Sequence, residues 1–299
     1  MSLQVDLLPN GNLSLHTDAD TTLANIQEQL PISNEKKKYV TYELNGKPVT
    51  YGQSEVTPKD RLVIDVDESL KADDSTPLTF KGVPIVYEDD WCLVANKKPF
   101  LLVHGDGETE DTLTSRVNAH LAEEGWPFAA QPVNRIDQEA SGLVLFCKHP
   151  LLQSFFDRQM ENGTAKKEYL AVVNGRVENR EMDLNNPIGR DRHDDKMIVF
   201  RKGKPSHTHV SRLKLLNDMS LVKADITTGR RHQIRVHLAN QGYPIFNDPL
   251  YGTVSNNKGL MLQAYRLSFD QPFTNKRISL ELPMDTRFKW FDPELAKNA

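Results

Sequence analysis

From about residue 82 onward the chain returns repeatedly to short apolar runs rich in valine, isoleucine and aromatic residues, and these runs constrain its fold most. GVPIVYEDDWCLVANKKP reads as two strands around an acidic turn, and GLVLFCK as a buried strand. EYLAVVNG, HVSRLKLL and SLVKADITTG read as strands by alternation and β-branched content, and RISLELP as the last strand. Helical periodicity intervenes only between some of them. Thr112, after Asp111, can cap a helix that carries Leu113, Val117 and Leu121 and closes at Gly125. Pro150 to Met160 turns Leu151, Leu152, Phe155, Phe156 and Met160 to one side, and HQIRVHLANQG is a short helix stopping at Gly242. A parallel, doubly wound sheet requires a helical crossover after almost every strand. Strand following strand without that alternation predicts an α+β fold with a mixed, mainly antiparallel sheet.

Residues 1–72 read as a separate small α/β unit. LQVDLL and LSLHT flank Pro9-Asn10-Gly11-Asn12, the chemistry of a hairpin turn. Thr21-Thr22 precedes LANIQEQL as a helix start, and YELNGKPVTYG folds about Asn45-Gly46. The acidic, aperiodic stretch that follows predicts a linker over residues 73–81, leaving residues 82–299 as the main domain.

Composition narrows the function classes. With 38% hydrophobic and 26% charged residues the chain is neither disordered nor a membrane protein, and no apolar run reaches the roughly 18 residues of a membrane span. The start MSLQVDLLPNGNLSLHTD lacks a signal peptide's basic-then-apolar pattern, so a cytoplasmic protein is expected. Cys92 and Cys147 each sit in an apolar run, which predicts buried free thiols and no zinc site. A net charge of −4 argues against a non-specific nucleic-acid binder. It leaves room for a local basic cleft, because Arg190, Arg192, Lys196, Arg201, Lys202 and Lys204 cluster, as do Arg230, Arg231 and Arg235.

Three stretches combine charge with special backbone residues where packing alone asks for neither: NRIDQEASG (134–142), KKEYLAVVNG (166–175) and TTGRRHQIRVHLANQGYPIFNDPLYG (227–252). An isolated Arg-x-Asp reads as a salt bridge. A metal-dependent hydrolase is the competing chemistry, since His207 and His209 share a strand face and His232 and His237 lie nearby. No carboxylate completes a ligand spacing such as His-Glu-x-x-His, so no metal is expected.

Taken in order, RIDQEASGLVLF, KKEYLAVVNG, NPIGR with the later GKPS, TGRRHQIRVHLANQGYPIFNDPLYG and LMLQAYRLSF resemble the successive motifs of the RluA-type pseudouridine synthases, over roughly residues 80–285. The resemblance implies isomerisation of uridine in rRNA or tRNA, with Asp137 as catalytic nucleophile, Tyr169 stacking on the uracil and Arg230 pairing with the carboxylate. It implies that Arg135 holds RNA and that Leu262 walls the base pocket. Asn134, Lys167, Arg231, His232 and Arg235 are expected to face the RNA. Asn134 stands where many members have histidine. The reaction breaks an N1–C1′ bond and forms a C5–C1′ bond with no net redox change, so no cofactor is expected. RNA is the partner implied, with no membrane, no obligatory protein partner and a monomeric chain. Residues 1–72 are similar to the small αL-type RNA-binding domain that many such synthases carry, the alternative being a degenerate domain that only packs on the core. The alternative is a catalytically silent RNA-binding or ribosome-assembly protein that retains the fold.

Overall fold

The computed structural model describes residues 2–50, 52, 54–72, 78–79, 81–194, 196–274 and 276–291. Most of the expected linker, residues 73–77 and 80, therefore lies outside the described residues. The first strands are β1 (Leu3–Leu7), β2 (Leu13–Thr17), β3 (Thr21–Thr22), β4 (Val40–Leu44), β5 (Lys47–Val49), β6 (Glu55–Val56) and β7 (Leu62–Val66), with helix α1 (Leu23–Gln29) after β3. Five of them form an antiparallel sheet in the order β1-β2-β7-β4-β5. Turn chemistry sets its hairpins: Asn45 and Gly46 both have positive φ, 52° and 78°, as the tight β4–β5 turn requires. Thr22 caps α1 by accepting from the Asn25 amide.

The larger sheet takes β8 (Ile85–Glu88), β9 (Cys92–Lys97), β10 (Gln131–Pro132), β11 (Ser141–Cys147), β12 (Lys166–Asn174), β13 (Glu181–Leu184), β16 (Thr208–Leu216), β17 (Met219–Ile226), β18 (Leu262–Asp270) and β19 (Arg277–Glu281). Between β13 and β16 a separate hairpin, β14 (Ile188–Arg190) with β15 (Met197–Val199), carries part of the basic cluster. Helices α2 (Leu113–Glu123), α3 (Gln153–Glu161) and α4 (Gln233–Asn240) complete the chain, and Thr112 and Ser115 form a reciprocal cap on α2. Strand order is β13-β16-β17-β12-β18-β11-β9-β8, with β10 on β11 and β19 on β18. Every pairing in it is antiparallel except β11 with β18. The fold is α+β, as the strand-rich pattern predicts. Among the described residues no helix is long and apolar enough to cross a membrane.

The parallel contact is short, Ser141 to Gln263 and Gly142 to Ala264, and it places one row of residues across the sheet. Lys97 faces Gly142, Gly142 faces Ala264, and Ala264 faces Tyr169. Gly142 has φ +120°, and a methyl group added there would lie 2.7 Å from the Ala264 carbonyl carbon and amide nitrogen. Only glycine permits that approach. The row thereby fixes how far the 134–140 loop stands from Tyr169.

The two sheets share a core. Leu13, Leu15, Leu23, Ile26, Leu62 and Ile64 of the first sheet unit belong to one buried cluster with Trp91, Phe128, Leu151, Phe156 and Phe269. At the seam Gly11, with φ +88°, lies against the Phe128 ring, where an added methyl would sit at 2.5 Å. The His149 imidazole, wholly buried, bonds the Gly11 carbonyl through Nε2 at 3.0 Å. Burial holds His149 down to about 4, against the opposing pull of that carbonyl. Cys92 and Cys147 are free and buried, opposite one another on β9 and β11.

Candidate active site

An open cavity of about 870 Å³ gathers all ten residues singled out in the sequence: Asn134, Arg135, Asp137, Lys167, Tyr169, Arg230, Arg231, His232, Arg235 and Leu262. They arrive from four parts of the chain. Asn134 to Asp137 belong to the loop before β11; Lys167 and Tyr169 stand on β12; Leu262 opens β18; the rest flank or begin α4.

Asp137 is half-buried, and its Oδ2 accepts from Nη1 of Arg235 at 3.0 Å. The pairing corrects the expectation that Arg230 is the partner, and gives that place to Arg235. Arg235 is 1% exposed. It lies inside α4, bracketed by buried Ile234 and Val236. Arg230 precedes the helix and turns away, donating Nε to the Pro205 carbonyl at 2.9 Å, at the foot of the basic hairpin. Helix geometry explains the exchange. A buried arginine must find carboxylates, and one within the first turn of α4 reaches the cavity floor while one in the preceding turn does not.

Arg235 meets a second carboxylate. Asp248, fully buried, accepts from Nε and Nη2 at 2.8 Å each, a bidentate fork. Glu139 lies 3.8 Å from Nη1, and the Tyr251 ring covers the guanidinium with its centroid at 5.3 Å. Burial opposes the Arg235 charge, but hydrogen bonding to Asp248 and the field of Asp137 more than offset it and hold the group firmly protonated.

Tyr169 is buried on the other wall, and burial, reinforced by the Asp137 charge, pushes its phenol well above the usual range, so it keeps its proton at neutral pH. Lys167 is buried on the same strand and its ammonium is depressed by burial. Leu262 is buried beside them. Arg135 is exposed and lies 3.5 Å from the His104 ring. Arg231 is exposed at the rim. His232, at φ 55°, bonds the Tyr251 hydroxyl at 2.9 Å through Nδ1, and burial lowers its pKa. Asn134 is a brace: its Oδ1 accepts from the Leu145 amide at 2.8 Å, tying the loop to β11.

Two supporting residues escaped the sequence reading. Lys97 is fully buried behind the Asp137 loop and donates to the carbonyls of Lys98, Leu101 and Gln138 at 2.8–3.0 Å. Burial brings it down to about 7, against the pull of Asp137 and Glu139. Gln233 accepts from the Arg230 amide and the Thr228 hydroxyl and donates to the His207 carbonyl, so it staples the turn before α4 to β16. The signal for Lys97 was present as a lysine closing the apolar run CLVANK. His207 and His209, the pair considered for a metal, instead bracket the Asp183 carboxylate at the sheet edge.

The site thus offers one carboxylate, oriented by a buried arginine and open on its other side to a cleft large enough for a nucleoside. An aromatic ring and an aliphatic wall stand opposite, with cations on the rim. Among known proteins, the family model described as RNA pseudouridylate synthase matches residues 91–240. The chain is 35% identical over 236 residues to the uncharacterized RNA pseudouridine synthase YhcT of Bacillus subtilis, covering 77% of each chain. It is 37% identical over 219 residues to ribosomal large subunit pseudouridine synthase D of Neisseria meningitidis, covering 68% of this chain and 58% of that one. Among solved structures, human RNA pseudouridylate synthase domain containing 1 matches with a TM-score of 0.59 at 24% identity, over 73% of this chain and 89% of that chain. That likeness concerns the fold.

Proposed function

The chain belongs to the RNA pseudouridylate synthase family, and from that premise we propose that it isomerises uridine in structured RNA with Asp137 as nucleophile. The observation that carries the reading is the Asp137–Arg235 pair at the floor of the cleft, facing Tyr169 and Leu262. A carboxylate that must stay ionised in a site closed by RNA needs a fixed counter-charge, and Arg235 supplies it without occupying the open face.

The reaction balances within the substrate. The Asp137 carboxylate engages C1′ as the N1–C1′ bond breaks, and the electron pair leaves with the uracil. Tyr169 and Leu262 hold the detached ring while it turns. C5 then bonds to C1′ as the carboxylate departs, the C5 proton is lost, and N1 gains one. Reaching C1′ requires the nucleotide to leave the RNA stack. In this reading Arg135 and Arg231 at the rim, with the basic β14–β15 hairpin beyond Arg230, hold the displaced backbone.

Ribosomal RNA is the first substrate class to test, because a relative 37% identical is named for the large ribosomal subunit, with tRNA second. The first sheet unit, with Lys36 and Lys38 beside the Tyr39 ring, extends the RNA-binding surface in this reading. The test is Asp137→Asn on RNA from a strain lacking the protein. The expected variant binds this RNA as wild type does and forms no pseudouridine. Equal modification by variant and wild type overturns the nucleophile. A wild-type protein that binds RNA yet modifies none of it selects the silent assembly role.

A further inference from the structure

The Asp137–Arg235 pair is built from behind. Of the Arg235 donor atoms, Nε and Nη2 are taken by Asp248, which leaves Nη1 for Asp137. A planar guanidinium held at two points on one edge has no freedom to rotate, so the direction of the third nitrogen is set by Asp248. Asp248 is itself anchored. Its Oδ1 also accepts the amides of Leu250 and Tyr251 at 2.9 and 3.1 Å. The segment before it is bonded to β12, Asn174 N to Pro244 O and Phe246 N to Val172 O. That strand carries Tyr169 three residues from Val172. One frame therefore fixes both the nucleophile's counter-ion and the opposite wall of the pocket.

We propose that Asp248 is a positioning residue for catalysis, which aims Arg235 and through it holds Asp137 toward C1′. The role rests on the reading of Asp137 as nucleophile. It differs from mere neutralisation of a buried arginine, which any well-packed carboxylate satisfies without regard to where Nη1 points.

The experiment compares wild type, Asp137→Asn, Asp248→Asn, Arg235→Gln and the double variant Asp248→Asn/Arg235→Gln. Each is given RNA from the deletion strain, with pseudouridine formation followed in single turnover and affinity for the same RNA measured separately. Asp248→Asn keeps the size and one acceptor but loses the fork. It is expected to slow formation about 100-fold, the scale of a reacting group displaced by about 1 Å, while RNA affinity changes less than about threefold because Asp248 is fully buried. The double variant is expected to be no slower than Arg235→Gln, since a residue that acts only through Arg235 has nothing left to aim. It also removes both charges of the buried Arg235–Asp248 pair together, leaving neither uncompensated, so it answers the question if Asp248→Asn fails to fold.

A wild-type rate in Asp248→Asn overturns the proposal. So does a double variant about 10-fold or more slower than Arg235→Gln, which marks an independent structural effect. Failure of the functional reading looks different. It is an Asp137→Asn variant as fast as wild type, and it removes the positioning role with it.

Discussion

Replacing Gly142 with alanine perturbs the site without touching any side chain in it. The added methyl meets the Ala264 carbonyl carbon and amide nitrogen at 2.7 Å and the carbonyl oxygen closer still, in a backbone conformation at φ +120° that L-residues rarely adopt. Ordinary contact begins near 3.4 Å, so 3.4 Å less 2.7 Å means that β11 and β18 must part by about 0.7 Å at least. The backbone strain costs about 1–3 kcal/mol and the overpacking a similar amount, so a loss of about 3 kcal/mol is expected by urea denaturation. Activity should fall further than stability predicts. Asp137 sits on the loop that leads into β11, Tyr169 faces Ala264 across the next ladder, and a shift approaching 1 Å between them costs on the order of 100-fold in rate. The assay is single-turnover pseudouridine formation well below the unfolding transition, with RNA affinity as control. The clash is with main-chain atoms, so a companion Ala264→Gly change should restore neither property. Wild-type activity in Gly142→Ala, or rescue by Ala264→Gly, would refute the reasoning.

Other outcomes follow from the same geometry. Arg230→Ala should weaken RNA binding and lower its salt slope by about 1 with little effect on the single-turnover rate, whereas Arg235→Gln should lose about 100-fold in rate; filter binding and turnover separate the two. Phe100 has φ 66° and is more than half exposed, so Phe100→Gly should raise stability by about 1 kcal/mol in chemical denaturation, relief of strain exceeding the lost contact with Gly259. His149 is held to about 4, below the 6.5 of an ordinary imidazole, so between these values the unfolded chain binds more protons than the folded one. Stability should therefore fall as pH drops from about 6.5 to 4, by up to about 3 kcal/mol. A His149→Gln variant should lose most of that dependence in denaturation midpoints measured across the window.

Much of this architecture was legible because local chemistry dictated it. Asn45-Gly46 demands a tight hairpin, Thr112 and Ser115 can satisfy each other's amides, and the apolar runs admit few alternatives to strands. The β14–β15 hairpin and the edge strand β13 were not legible, since their polar, basic residues carry no hydrophobic alternation. Nor was the parallel register of Gly142 on Ala264, which depends on strands more than a hundred residues apart. The site shows the same division. Its members could be named from sequence, and the cavity gathers them, yet the partner of Asp137 was misassigned. Arg230, Arg231 and Arg235 differ little as letters; which one points inward depends on where α4 begins, and His232 at φ 55° sets that start. An arginine inside Ile-Arg-Val-His-Leu was the available clue, because a charge among apolar neighbours has to be paired.

The core shared by the two sheets has a consequence for the proposed RNA-binding role of residues 1–72. A module on a loose tether searches space and tolerates RNAs of different shape. Here Gly11 is locked against Phe128 and His149, and the apolar cluster continues across the seam. The two ends of the molecule then behave as the jaws of a fixed calliper. If the proposed RNA-binding role of residues 1–72 holds, an RNA that touches both jaws has to present its uridine and its second contact at one set spacing, and selection by length then precedes chemistry.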